Sequence, residues 1–321
     1  MISFSRGRPR AIHLCDSDID RPQLQDFPNE PLVGERFIAY VDIACILGDI
    51  VELRSKSQLS PDRARDIENA LFRWSHSLSK NLHLAEISSS KPEGYELRAH
   101  DFRARQLHVI YFVCVAILAR SQAPPREISP CAFLAASYAA GIYEDFLARD
   151  LVRILAPTFT SFAFVSSLEL LSLRPHSSLW ASVMPDLQVL QASLDELAHR
   201  WKSAIGASKA IHKALESFQD RPAPSNQIPR SLTPAEESLF DGYPSALCKL
   251  RIPYNVEMER VNSFGDASEP SPMNGSVPDP AQFPLMNTFI DTLGLGEDWV
   301  SAASYFDGSD SNFWKDWDFG R

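Results

Sequence analysis

The chain has 321 residues, 45 % of them apolar and 22 % charged, enough for one large core or two ordinary ones. Its net charge of −10 sits at one end: residues 1–230 hold 26 Lys+Arg against 26 Asp+Glu, while residues 231–321 hold 5 against 15. No basic stripe is left for phosphate contacts, which argues against direct DNA binding by this chain alone.

Residues 1–34 read as an extended N-terminal segment, with Arg8-Pro9-Arg10, then Asp16, Asp18 and Asp20, then Arg21-Pro22. Met1–Arg10 is basic and polar without an apolar run, so no signal peptide is expected. From Glu35 the period becomes helical, with Phe37, Val41, Ala44, Leu47 and Val51 as the expected apolar stripe. Ser60-Pro61-Asp62 marks the next helix start, with a capping hydroxyl, a proline suited to the first turn and an acidic group near the positive end. Ile67, Leu71, Trp74 and Leu78 form its buried face. After a polar loop around Ser88–Gly94, a long helix is expected from Glu96 to Ala119, apolar nearly all round and therefore central.

Ser129-Pro130 repeats the start signal ahead of a helix over Cys131–Arg153, and Ala156-Pro157 opens another that ends near Leu173. A last long helix, Leu179–Lys202, carries Leu187, Leu190, Leu194, Leu197 and Trp201, and Ile205–Phe218 continues it as a shorter one. No strand-period hairpin with a turn dipeptide is evident. The expectation is an all-α, irregular multi-helix domain over residues 35–217. Residues 218–284 hold 11 of the 23 prolines and read as a Pro/Ser-rich linker. Residues 285–321 form an acidic-aromatic tail, where Trp299, Phe306, Phe313, Trp314 and Trp317 interleave with aspartates. In such a segment mutual repulsion keeps bulky side chains solvated and available for shallow coactivator grooves; a tail docked on its own domain has the same composition.

Motif by motif, the chemistry-bearing patterns fail. Cys15, Cys45, Cys114, Cys131 and Cys248 are scattered, with no C-x-x-C pair, so neither a zinc site nor a disulfide framework is read. Asp16, Asp18 and Asp20 have the spacing of the first ligands of an EF-hand loop, but its glycine and glutamate positions hold Arg21 and Phe27. The eight histidines include no H-E-x-x-H, and His108, inside an apolar helix, reads as a satisfied core residue. Neither a phosphate loop nor a nucleophile elbow occurs. No catalytic, cofactor or metal residues are assigned. Leu107–Ala119 is too short for a membrane span, and Ile154–Leu173 is diluted by Pro157 and Glu169, so both read as core helices.

The order of segments resembles the middle homology region of fungal zinc-binuclear-cluster transcription factors. The resemblance rests on Gly7-Arg8-Pro9 ahead of the aspartate-rich segment ending at Pro22, and on Leu71-x-x-Trp74. It continues through Leu107-x-x-x-Tyr111, Cys131-x-x-x-Ala135-Ala136 and Leu194-x-x-Leu197-x-x-x-Trp201-x-x-Ala204, and so spans residues 7–205. Where that family places an arginine-proline pair after the central helix, this chain has Ala119-Arg120-Ser121. Its six-cysteine zinc cluster has no counterpart in the sequence either.

The resemblance implies a nuclear, all-α regulatory domain of RNA polymerase II transcription, a truncated form or fragment without its own DNA-binding module and without the family's zinc. It further implies coactivators or a full-length family member as partners, DNA contact only through a missing or partner zinc cluster, and a small-molecule effector; no membrane and no catalytic residues are implied. One alternative is a helical interaction protein that acts as dominant-negative partner of a full-length factor. The other is an all-α metabolic enzyme.

Overall fold

Helix is written into this chain at the starts of its segments. In the computed structural model, which describes residues 16, 18–55, 60–87, 95–123, 127–174, 176–217 and 229–264, the protein is all-α with almost no strand. In chain order the elements are α1 (Pro31–Ser55), α2 (Pro61–Ser77), β1 (Ala85–Ile87), β2 (Tyr95–Leu97) and α3 (Phe102–Gln122). They continue with α4 (Pro130–Ala148), α5 (Thr158–Leu171), α6 (Ser177–Ala198), α7 (Lys202–Ser217), α8 (Pro234–Ser238) and α9 (Arg251–Phe264). Both expected Ser-Pro starts form as read: Ser60 accepts the Arg63 amide and Ser129 the Ala132 amide, with proline in the first turn.

α3 is the central element. Asp101 caps it by accepting from the Arg103 and Ala104 amides, and every residue from Leu107 to Ala119 is buried. It alone among the described residues is long and apolar enough to cross a bilayer, yet its apolar stretch is enclosed by protein, mainly by α4, α1, α5 and α2. α4 is buried nearly all round as well, lying between α3 on one side and α5 and α6 on the other. Small residues, Ala132, Ala135, Ala136, Ala139 and Ala140, permit that crowding. α6 then packs on α7, with Leu187, Leu190, Leu194 and Leu197 buried. Trp201 closes that corner by donating to the Leu155 carbonyl at 3.0 Å.

Four expectations need correction. α1 starts at Pro31 inside the segment expected to be extended, and a 3-10 turn, Leu24–Asp26, precedes it, braced by Asp26 accepting from the Gln23 amide. The buried face of α1 is Ala39, Ile43, Leu47, Ile50 and Val51, while Phe37 stays exposed beside Phe27; the expected stripe is out by one or two positions in its first half and meets the buried face at Leu47 and Val51. A short antiparallel hairpin pairs Ala85–Leu97, Glu86–Glu96 and Ile87–Tyr95, where a loop and the first residues of the central helix are expected, and that helix starts at Phe102 instead of Glu96. Three-residue strands are too short for a period-two pattern to register.

The fourth correction concerns the linker. Residues 229–264 fold onto the core as a strap: α8, a 3-10 turn at Ser245–Leu247, and α9. Leu239, Phe240, Tyr243, Leu247, Cys248, Leu250 and Tyr254 are buried there. The prolines do not prevent folding because they stand where proline is tolerated: Pro234 in the first turn of α8, Pro244 just before the 3-10 turn, Pro253 in the first turn of α9.

Candidate functional site

The seam between strap and core brings aromatic and polar side chains from distant segments together. Aromatic rings line it: Trp74 stacks on Tyr111 at 5.5 Å between centroids, Tyr111 on Tyr243 at 5.7 Å, Phe112 on Tyr138 at 4.9 Å and Tyr138 on Phe240 at 5.5 Å. The core then reads the strap backbone much as a receptor reads a peptide. Tyr111 donates to the Leu239 carbonyl at 2.7 Å, Tyr138 to the Tyr243 carbonyl at 3.4 Å, and the Leu250 amide donates to Ser137 Oγ at 3.3 Å. At Gly141, in the middle of α4, an added Cβ would fall on the Leu247 carbonyl, so only glycine permits this approach.

His108 is the satisfied core histidine that the sequence suggests. Its Nε2 lies 2.8 Å from the Leu82 carbonyl, which can only accept, so Nε2 carries the proton and Nδ1 accepts from the Tyr243 hydroxyl at 2.8 Å. Burial first of all pushes its pKa down to about 4, and the ring is neutral. Ser137 donates to Asp186 Oδ2 at 2.5 Å, tying α4 to α6 beneath the strap. Lys249 reaches back from the strap to Glu144 at 2.8 Å and stands 3.9 Å from Asp186 Oδ1, within ion-pair but not hydrogen-bond range. Burial raises the Asp186 pKa to about 6 against the lowering pull of Ser137 and Lys249.

Two further charge clusters lie in the core. Glu169 of α5 is buried, and burial raises its pKa to about 7 although Arg120 and Arg54 favour the charged form. Asp145 is held by three side chains: His100 at 2.6 Å, Arg149 at 3.0 Å and the buried Arg105. Burial works to raise its pKa, but these hydrogen bonds and charges bring it below the usual value. Close by, an open cleft of about 470 Å³ is lined by Leu32, Arg36, Asn81, Glu86, Arg98 and Asp101 among others. Its charges are largely matched in pairs, Arg36 to Asp101 at 3.1 Å and Arg98 to Glu86 at 3.8 Å.

Three of the thiols are packing groups. Cys114, Cys131 and Cys248 are buried, burial raises all three pKa values, Cys248 to about 12, and no thiolate is offered to an electrophile or a metal. Among the described residues no group of three His, Cys, Asp or Glu could hold a metal ion. The aromatic residues singled out from the sequence, Trp299, Phe306, Phe313, Trp314 and Trp317, lie outside the described residues. The strap seam went unread, although Thr233-Pro234-Ala235-Glu236 is a capping box of the kind that starts helices.

In an alignment 264 positions long that covers 76 % of the chain, it is similar to the acetamidase regulatory protein of Aspergillus oryzae, with 23 % identity. The matched stretch is 32 % of that relative, so the chain corresponds to about a third of its length. No family profile matches the chain. No solved structure matches it either.

Proposed function

We propose that this chain is the helical regulatory domain of a fungal transcription factor, acting in the nucleus on RNA polymerase II transcription. The observation that carries the reading is the similarity to a fungal regulatory protein over 76 % of the chain. The sequence resemblance to the middle homology region points the same way. In this reading the chain is a truncated form or fragment, and DNA contact comes from a zinc-cluster module outside it or on a full-length partner. The acidic surplus of residues 231–321 fits a chain that does not itself bind DNA.

Residues 285–321 are the segment through which coactivators are contacted, with Trp299, Phe306, Phe313, Trp314 and Trp317 as the contacts. A cofactor of its own and a catalytic role form no part of the proposal; a small-molecule effector of the helical domain does. The test is a fusion of residues 285–321 to a heterologous DNA-binding domain. Activation of a reporter, lost when the five aromatics are replaced by alanine, supports the tail assignment. A silent fusion, with a lower melting temperature of the full chain carrying the same replacements, shows instead that the tail docks on the core.

A further inference from the structure

Three helices among the described residues begin with Ser/Thr-Pro, and each hydroxyl caps its own helix. Their surroundings differ in the chemistry that a modifying enzyme would meet. Ser129 is 2 % exposed and out of reach. Ser60 is exposed, and it starts α2, a seventeen-residue helix pinned by the buried Ile67, Leu71 and Trp74. Thr233 is exposed as well, but it starts only the five residues of α8, at the root of the strap.

The Thr233 hydroxyl donates to Glu236 Oε2 at 3.1 Å while its oxygen accepts the Glu236 amide at 3.2 Å. The same carboxylate accepts the Thr233 amide at 2.8 Å and is gripped by both terminal nitrogens of Arg230, at 2.6 and 2.7 Å. The Glu236 side chain is only 11 % exposed, so it depends on these donors. The knot also holds the strap closed on itself, since Tyr254 of α9 donates to the Arg230 carbonyl at 2.7 Å. Three residues beyond Glu236 the Leu239 carbonyl is held by Tyr111, and Phe240 and Tyr243 enter the aromatic seam.

We propose that Thr233 is a phosphorylation site for a proline-directed serine/threonine kinase, and that the phosphate releases the strap from the helical core. Thr233 has the extended backbone, φ −75° and ψ 157°, that a following proline favours, and it lies on the surface. In the transfer, Thr233 Oγ1 forms a bond to the γ-phosphorus of ATP as the bond to the β-phosphate oxygen breaks. ADP leaves, and the hydroxyl proton passes to the kinase's base.

The product carries about −1.5 to −2 charges and no longer donates to Glu236. One guanidinium then faces two anions. If Arg230 turns to the phosphate, as its bidentate geometry favours, the nearly buried Glu236 carboxylate loses its main partner. If Arg230 stays, a dianion stands against that carboxylate. Both outcomes undo the capping box. A phosphate is favoured at the start of a long helix, but five residues sum to little dipole. The like-charge effect therefore decides the sign.

This inference does not rest on the transcription reading, and its test is made on the purified full chain. In one arm the native chain is incubated with ATP and a panel of purified proline-directed kinases, and sites are mapped by mass spectrometry. One phosphate on Thr233, absent from Thr233→Val, is expected; phosphate on other residues only, or on Thr233 only after denaturation, overturns the site. In the other arm phosphothreonine is installed at position 233 during synthesis, and amide hydrogen exchange is read over 239–250. Exchange should rise about tenfold or more in the strap while Leu107–Ala119 stays protected, and the rise should shrink in Glu236→Gln. Unchanged strap exchange, or an equal rise in Glu236→Gln, overturns the release.

Discussion

Gly141→Ala should loosen the strap by adding a single methyl group. Gly141 lies inside α4, where replacement of glycine by alanine normally gains about 1 kcal/mol of helix stability. Here the new Cβ would land on the Leu247 carbonyl oxygen and within 2.9 Å of its carbonyl carbon, both backbone atoms that no rotamer change can move. Overpacking of this kind costs about 1–3 kcal/mol or more. If the Leu247 turn lifts to relieve it, the burial of Leu247 adds about 2 kcal/mol to the loss. The loss exceeds the gain, leaving a net destabilisation of about 2 kcal/mol and a melting temperature lower by roughly 4–8 °C for a folded unit of this size. Circular dichroism melts at fixed pH measure it, and amide exchange should localise the effect to residues 239–250. A melting temperature equal to or above that of the unmodified chain would refute the close approach and the docked strap with it.

Trp74→Ala should cost about 3–5 kcal/mol, since the ring is buried, stacks on Tyr111 and donates to the Ala39 carbonyl at 2.9 Å; unchanged denaturant midpoints would place that face of α2 elsewhere. Glu169 has its folded pKa raised from 4.5 to about 7, so its stabilising contribution is complete below pH 4.5 and is lost as pH rises through 7. The stability difference between the unmodified chain and Glu169→Gln should therefore move by roughly 3 kcal/mol between pH 4.5 and 8, read as a shift in urea midpoint; a pH-independent difference would mean that the carboxylate is solvated. The purified chain should show no saturable, sequence-specific binding to duplex DNA at physiological salt. A tight, salt-sensitive site from an unbiased selection would contradict this.

Where the sequence was legible, local rules and tertiary structure agreed. Ser60-Pro61 and Ser129-Pro130 start their helices because a capping hydroxyl and a proline without an amide satisfy the same orphan donors in any context. Ile67, Leu71, Trp74 and Leu78, and the leucines of α6, are buried as their spacing requires. The strap was missed because eleven prolines dominated the composition of 218–284, although Thr233-Pro234 carries the same start signal as the two helices read correctly. Its partners were out of sight for another reason. His108 meets Tyr243 and Tyr111 meets Leu239 across more than 120 positions, and no periodicity encodes such a pairing. Glu169 was read as a polar dilution of an apolar segment, whereas its buried position beside Arg54 and Arg120 depends on three helices meeting. The tail aromatics stand as sequence expectations.

The most direct test of the regulatory assignment tethers the whole chain to a promoter through a heterologous DNA-binding domain in a fungal host. The account predicts that reporter output changes relative to the DNA-binding domain alone, and that the change disappears when the tether site is removed from the promoter. Output indistinguishable from that of the DNA-binding domain alone, with the fusion folded and in the nucleus, would contradict it.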